Sequence, residues 1–226
     1  MNLSSIASTV PSERSRLKKI LLLCGIFSSV FYVATDIFVS RQYEGYRIID
    51  QNYSELLATG APTRSIMLLM SVVYNSLMAA FAAGIWSSAG PKRTARVAGS
   101  MMVVYAILSQ VTPTFFQMDM RGAEVTARGG LHPLMTAIMS LFIMLSIGFG
   151  AFLLRKRFRI YSFATIVILL VFGFLTAQKT PLLEAGQPTP GMGFTERINI
   201  YMTMLWFAIL SISLFRLEKR RGTIVP

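Results

Sequence analysis

Six apolar runs divide the chain: Ile20–Val39, Ser65–Ser88, Val97–Phe116, Pro133–Leu154, Ile160–Ala177 and Ile198–Phe215. Each approaches the roughly 20 residues a helix needs to cross the ~30 Å hydrocarbon layer of a bilayer. The runs are continuous and do not alternate with period two, so a barrel is excluded. The pattern predicts an all-α polytopic membrane helix bundle with six transmembrane helices. Composition agrees: 54% hydrophobic and 14% charged residues, with a mean hydropathy of +0.57, do not suit an ordinary soluble domain.

Charge orients the bundle. Most of the 22 Lys and Arg residues fall in four short segments between or beside the runs. These are Arg14, Arg16, Lys18 and Lys19; Lys92, Arg93 and Arg96; Arg155, Lys156, Arg157 and Arg159; and Arg216, Lys219, Arg220 and Arg221. The acids take the alternate ends, apart from Glu13 and Glu218. Basic residues stay on the cytoplasmic side during insertion. This predicts a multi-pass protein of the cell (inner or plasma) membrane with both termini cytoplasmic and three long connections outside. The net charge of +12 follows from that bias and calls for no nucleic acid; the same charges would attract anionic headgroups. Membrane lipids are the expected partners, with a homodimer left open.

Three segments are expected: a disordered cytoplasmic tail at 1–16, a transmembrane domain at 17–217 and a basic cytoplasmic tail at 218–226. The basic start followed by an apolar run has the outline of a signal peptide. The run is too long, however, and lacks a small-residue cleavage site, so it reads as an uncleaved first span. The single cysteine, Cys24, allows no internal disulfide and no cysteine metal cluster. Small residues at spacing four, Gly25/Ser29 and Ala80/Gly84, permit close helix contact.

Polar residues recur at helical spacing within the runs. The first has Gly25, Ser29, Tyr32 and Asp36; the second Ser71 and Asn75; the third Tyr105, Ser109 and Thr112; the fourth His132, Thr136 and Ser140; the sixth Glu196, Asn199 and Thr203, with Trp206 deeper. Each set shares one helix face. Intramembrane ionisable groups cost about 2.5–3.5 kcal/mol and turn toward protein or water. The stripes therefore predict a cavity open to the outside, walled by spans one, two, three, four and six. Asp36, His132, Glu196 and Arg197 would ring its mouth and Asn75 would sit near its floor. The competing reading of the Ser and Thr residues is hydrogen bonding between helices. The fifth run is apolar throughout its centre and is expected to be the most lipid-exposed.

The outer connections add candidates. Tyr53 to Pro62 reads as a short helix with Ser54 at its N-cap, Glu55 in its first turn and Gly60 in the left-handed closing position; it would rest on the bundle rim through Leu56 and Leu57 or, as the functional alternative, form a lid with Glu55 turned inward. The second connection contributes Asp119. Pro133 suits a first helical turn, which would set His132 at the N-cap of the fourth helix. Thr195 would cap the sixth. Glu196 and Arg197 point apart, and Arg197 shares a face with Tyr201. Asp36 has two candidate partners, Arg64 and Arg197.

Together, Asp36 late in the first run, Ser54-Glu55-Leu56 with Gly60-Ala61-Pro62, His132 opening the fourth run, and Gly193-x-x-Glu196-Arg197 leading to Leu205-Trp206 resemble one prokaryotic family of six-span membrane proteins, the domain-of-unknown-function 998 family. The resemblance covers about Leu17 to Arg216. It implies a six-helix bundle and supplies no chemistry.

Three classes of function fit. The first is binding or transport of a small polar ligand or lipid headgroup by Tyr32, Asp36, Glu55, Asn75, Asp119, His132, Glu196 and Arg197. The second is a membrane hydrolase in which His132 works with Asp36, Asp119 or Glu196 as base and partner, or as ligands to a divalent metal. No cofactor is assigned by the sequence, and no Gly-x-Ser-x-Gly nucleophile motif occurs. The third is a non-enzymatic accessory or sensor protein.

Overall fold

A computed structural model describes residues 13–88 and 93–223. Six long helices make up the fold: α1 (Glu13–Ser40), α2 (Arg64–Ser88), α3 (Arg93–Phe115), α4 (Ala127–Gly150), α5 (Lys156–Ala177) and α7 (Met192–Thr223). A 3-10 turn (Tyr53–Leu57) and the one-turn α6 (Thr180–Glu184) lie in the long connections. No strand occurs among the described residues. All six long helices are long and apolar enough to cross a membrane.

The two outermost helices outrun their apolar segments. α1 is already helical at Glu13, inside the stretch expected to be disordered, while residues 1–12 lie outside the described residues. α7 continues through most of the basic tail. Lys18 of α1 meets Glu218 of α7 at 3.1 Å, so each extension supports the other. This pair also puts both chain ends at one end of the bundle, the terminal end. The three long connections gather at the other, the loop end.

The helices form a ring. α1 packs between α2 and α7, α3 between α2 and α4, and α5 against α7. Gly84 lets α2 approach α1 closely, since a Cβ there would lie 2.9 Å from the backbone of Leu21 and Leu22. The terminal half is filled by large side chains with under 2% exposure, among them Trp206, Phe207, Phe81, Met102 and Ile147. Trp206 gathers three helices: its Nε1 donates to Ser162 Oγ of α5 at 2.9 Å, and its ring lies against Gly150 of α4, where a Cβ would be 2.7 Å away. Several buried hydroxyls tie helices together, as in Ser29 to the Met204 carbonyl at 2.8 Å and Ser146 to the Ala98 carbonyl at 3.0 Å. Such bonds satisfy polar groups that lipid cannot.

The ring closes unevenly. The buried residues of α4 are Ile143, Ser146, Ile147 and Gly150, all near the terminal end. Those of α5 stop at Leu169. Toward the loop end α5 stays with α7, where Thr176 Oγ1 meets Thr195 Oγ1 at 2.9 Å. α4 stays with α3, where His132 meets the Phe116 carbonyl. The α4–α5 seam therefore loosens toward the loop end, and Thr136, Met139 and Ser140 in that half of α4 are only partly buried. As expected of its apolar centre, α5 buries the smallest share of its span, 17%.

Candidate functional site

At the loop end of α1, Asp36 has no exposed surface. Arg197, from the second turn of α7, grips it side-on: Nε donates to Oδ2 and Nη2 to Oδ1, each at 2.9 Å. Tyr201 Oη donates to Oδ2 at 2.6 Å and Ser40 Oγ to Oδ1 at 3.1 Å. Arg197 keeps donors for the first connection, reaching the carbonyls of Ile48 at 2.8 Å and Gln51 at 3.0 Å and the Tyr46 hydroxyl at 2.8 Å. A buried charge persists only when its partners are complete, and a bidentate guanidinium–carboxylate pair supplies that geometry. Of the two candidate partners, Arg197 takes Asp36. Arg64 instead caps the carbonyls of Leu57 at 2.6 Å and Pro113 at 3.2 Å.

A second pair joins all three connections. Glu55, 4% exposed, receives Arg121 Nη2 on Oε1 at 2.7 Å and Nε on Oε2 at 3.1 Å. Arg121 also donates to Thr189 Oγ1 at 3.0 Å and the Gln187 carbonyl at 2.8 Å. Thr189 in turn donates to the Asp50 carbonyl at 2.8 Å, and the Gly191 N–H to Asp50 Oδ1 at 2.9 Å. Beneath them Leu56, Val39 and Met67 form a small apolar floor. The expected helix from Tyr53 is shorter than its sequence suggested. It is a 3-10 turn ending at Leu57, with Asn52 and not Ser54 at the N-cap position. Thr63 Oγ1 and Arg64 bond the Leu56 and Leu57 carbonyls, which ends the turn. Gly60 adopts φ +89°, the left-handed conformation expected of it. Glu55 thus belongs to a folded cap over the bundle.

Below the cap lies Glu196, partly buried near the start of α7. Its Oε2 accepts the Tyr53 backbone N–H, and no hydrogen bond to its other oxygen occurs among the described residues. The Tyr53 ring stacks on Tyr32 with centroids 5.0 Å apart. Tyr32 meets Tyr74 edge-on at 4.8 Å, and the Tyr74 and Tyr105 hydroxyls lie 3.1 Å apart. The tyrosines thus link the cap to the upper core. Beside them Asn75 Nδ2 donates to Gln110 Oε1 at 3.0 Å, while Asn75 Oδ1 and Thr112 Oγ1 are buried without partners. Tyr105 and Thr112 stood in the sequence stripes. Tyr74 and Gln110 did not, because their positions carried no separate signal.

The α3–α4 connection corrects the sequence reading. α4 starts at Ala127, with Thr126 at the N-cap accepting the Gly129 N–H at 3.1 Å. Asp119 braces that cap through the Thr126 N–H at 2.8 Å. His132 is therefore inside the helix and not at its cap, and its Nδ1 lies 2.8 Å from the Phe116 carbonyl. Among the described residues, no hydrogen bond or ion pair joins His132 to Asp36 or Glu196, and no three His, Cys, Asp or Glu side chains converge as a metal site needs. Thr195 is likewise inside α7, bonded to the Met192 carbonyl, since that helix starts at Met192.

Six apolar helices in a ring, with two buried ion pairs at one end and basic segments at the other, define a multi-pass membrane protein. The model of the family described as "Protein of unknown function (DUF998)" matches residues 26–213, and the chain belongs to that family. The matched span contains Asp36, Glu55, His132, Glu196 and Arg197, which carried the resemblance. No curated protein and no solved structure matches the chain.

Proposed function

We propose that this protein binds an amphipathic molecule with a cationic headgroup, taken from the leaflet at the loop end through the loosened α4–α5 seam. Glu196 carries the reading. The two charge pairs of the cap, Asp36–Arg197 and Glu55–Arg121, are each internally neutral. Glu196 is left with an oxygen free of protein partners, beside the stacked Tyr53–Tyr32 pair. A carboxylate next to tyrosine rings suits an ammonium group, through charge and cation–π attraction. The partnerless Asn75 and Thr112 oxygens supply further polar surface. The cap is bonded across all three connections, which favours entry from the side. The basic segments favour an orientation with the loop end outside the cell. Asp36 and Arg197 position the site, whereas Glu196, Tyr53 and Tyr32 face the ligand. The hydrolase reading is less well supported, since among the described residues His132 shares no hydrogen bond or ion pair with Asp36, Asp119 or Glu196 and bonds the Phe116 carbonyl instead.

Native mass spectrometry of protein purified in mild detergent tests the proposal without presuming a ligand. Wild type should carry a co-purified basic amphiphile. Glu196→Gln should retain it at least tenfold less well, as loss of roughly 1.4 kcal/mol implies. Equal retention by the two proteins, or no basic adduct on either, would refute it.

A further inference from the structure

A cleft of about 530 Å³ opens at the opposite, terminal end, between the α4–α5 turn and the last turns of α7. Its wall carries Arg155, Arg157, Arg216 and Arg220, and its apolar lining includes Phe152 and Leu217. All four arginines are exposed, and no salt bridge to any of them occurs among the described residues. Glu218, the acid of this α7 segment, is turned to Lys18. Arg216 and Arg220 stand four residues apart on one helix face, a like-charge spacing that is unfavourable without a counterion. Arg155 sits at the N-cap of α5 with no side-chain cap bond, and the positive end of that helix dipole adds to the field. Topological bias accounts for basic residues at this end. It does not account for four of them around one concave, apolar-lined space.

We propose that this cleft is a binding site for an anionic phospholipid of the leaflet at the terminal end. The headgroup phosphate would sit among the four guanidinium groups, whose planar forks match phosphate oxygens in pairs. The acyl chains would lie along Phe152 and Leu217. This is a site at the other end of the bundle from the cap, and it holds whether or not Glu196 binds a ligand.

Native mass spectrometry of the purified full chain, titrated with dioleoyl-phosphatidylglycerol, dioleoyl-phosphatidylcholine or inorganic phosphate, reads the site directly. Wild type should retain one phosphatidylglycerol in clear preference to phosphatidylcholine. Arg216→Gln/Arg220→Gln should lower that retention at least tenfold, and Arg216→Lys/Arg220→Lys, which keeps the charge but not the fork, should lower it less. Arg14→Gln/Arg93→Gln, with the same charge loss at residues that do not line the cleft, should match wild type. If the Gln pair does not insert or purify, the Lys pair carries the comparison. Retention by the Gln pair equal to that of the control, or no preference between the two lipids, overturns the proposal. So does displacement of the lipid by millimolar phosphate, which assigns the cleft to the free anion. With the Gln pair lacking, a Lys pair indistinguishable from wild type overturns it as well.

Discussion

Replacing Arg197 with methionine leaves the Asp36 carboxylate, which has no exposed surface, with only the Tyr201 and Ser40 hydroxyls as donors. It also strips the Ile48 and Gln51 carbonyls of their guanidinium. Breaking a buried pair from one side costs about 3–5 kcal/mol, because the remaining charge stays desolvated. Arg197→Met should fall at the upper end of that range. Asp36→Ala should fall near the lower end, since Arg197 retains two carbonyls and the Tyr46 hydroxyl. The double variant removes both charges together. Its cost should fall well under the sum of the singles, a coupling of about 3 kcal/mol, the upper end of what residues in contact show. Unfolding in mixed micelles, followed by fluorescence of the buried Trp206 in a Trp86→Phe background, provides the measurement. Single-variant losses that add to within about 0.5 kcal/mol would refute the reasoning, and so would singles costing under about 1 kcal/mol, the range of an exposed pair.

Two further outcomes follow from the cap. Arg121→Ala frees Glu55 and unties the Gln187 and Thr189 contacts; amide exchange and protease cleavage should rise in all three long connections while exchange within α2 and α3 stays unchanged, and a rise confined to the α3–α4 connection would contradict a shared latch. Burial pushes the Tyr46 and Tyr53 phenols above their usual range, against the downward pull of Arg197 on Tyr46 and of the Tyr32 hydroxyl on Tyr53. The unfolded chain therefore loses these protons first as pH passes about 10, and stability present below that pH should decline above it. Tyr46→Phe should make the decline between pH 9 and 11 shallower, read as a slope so that the lost Arg197 bond does not enter; an unchanged slope counts against it.

The spans were legible because lipid imposes a long apolar run on any helix that crosses it, and the Asp36 partnership was legible in part because Arg197 and Tyr201 share a face of α7. The helix starts were not. Pro133 marked the expected start of α4, yet the helix begins at Ala127 with Gly129 and Gly130 inside it. Gly129 is small because the Asp119 carboxylate occupies the space a Cβ would need. Gly193 likewise leaves room for the Ile48 and Gln51 carbonyls against the start of α7. In both places the glycine answers a tertiary approach that local propensity cannot express. Arg121 was missed for a related reason. Its partners come from the other two connections, 66 to 68 positions away, and no periodicity joins them.

Two buried ion pairs at the loop end do not explain stability, since apolar side chains of similar size hold a core as well or better. Their geometry explains placement instead. Each arginine fixes a carboxylate and, with its remaining donors, the backbone or side chains of a second connection. Arg197 holds the Gln51 carbonyl, two residues before the Tyr53 N–H that reaches Glu196. Tyr53 then sets the ring that stacks on Tyr32. The path Asp36, Arg197, Gln51, Tyr53 and Glu196 is contiguous, and every step is a bond or a chain connection. A residue with no exposed surface can thus govern how the Glu196 carboxylate is presented beneath the cap. In the binding function proposed here, Asp36 acts by holding that geometry and never needs to touch the ligand.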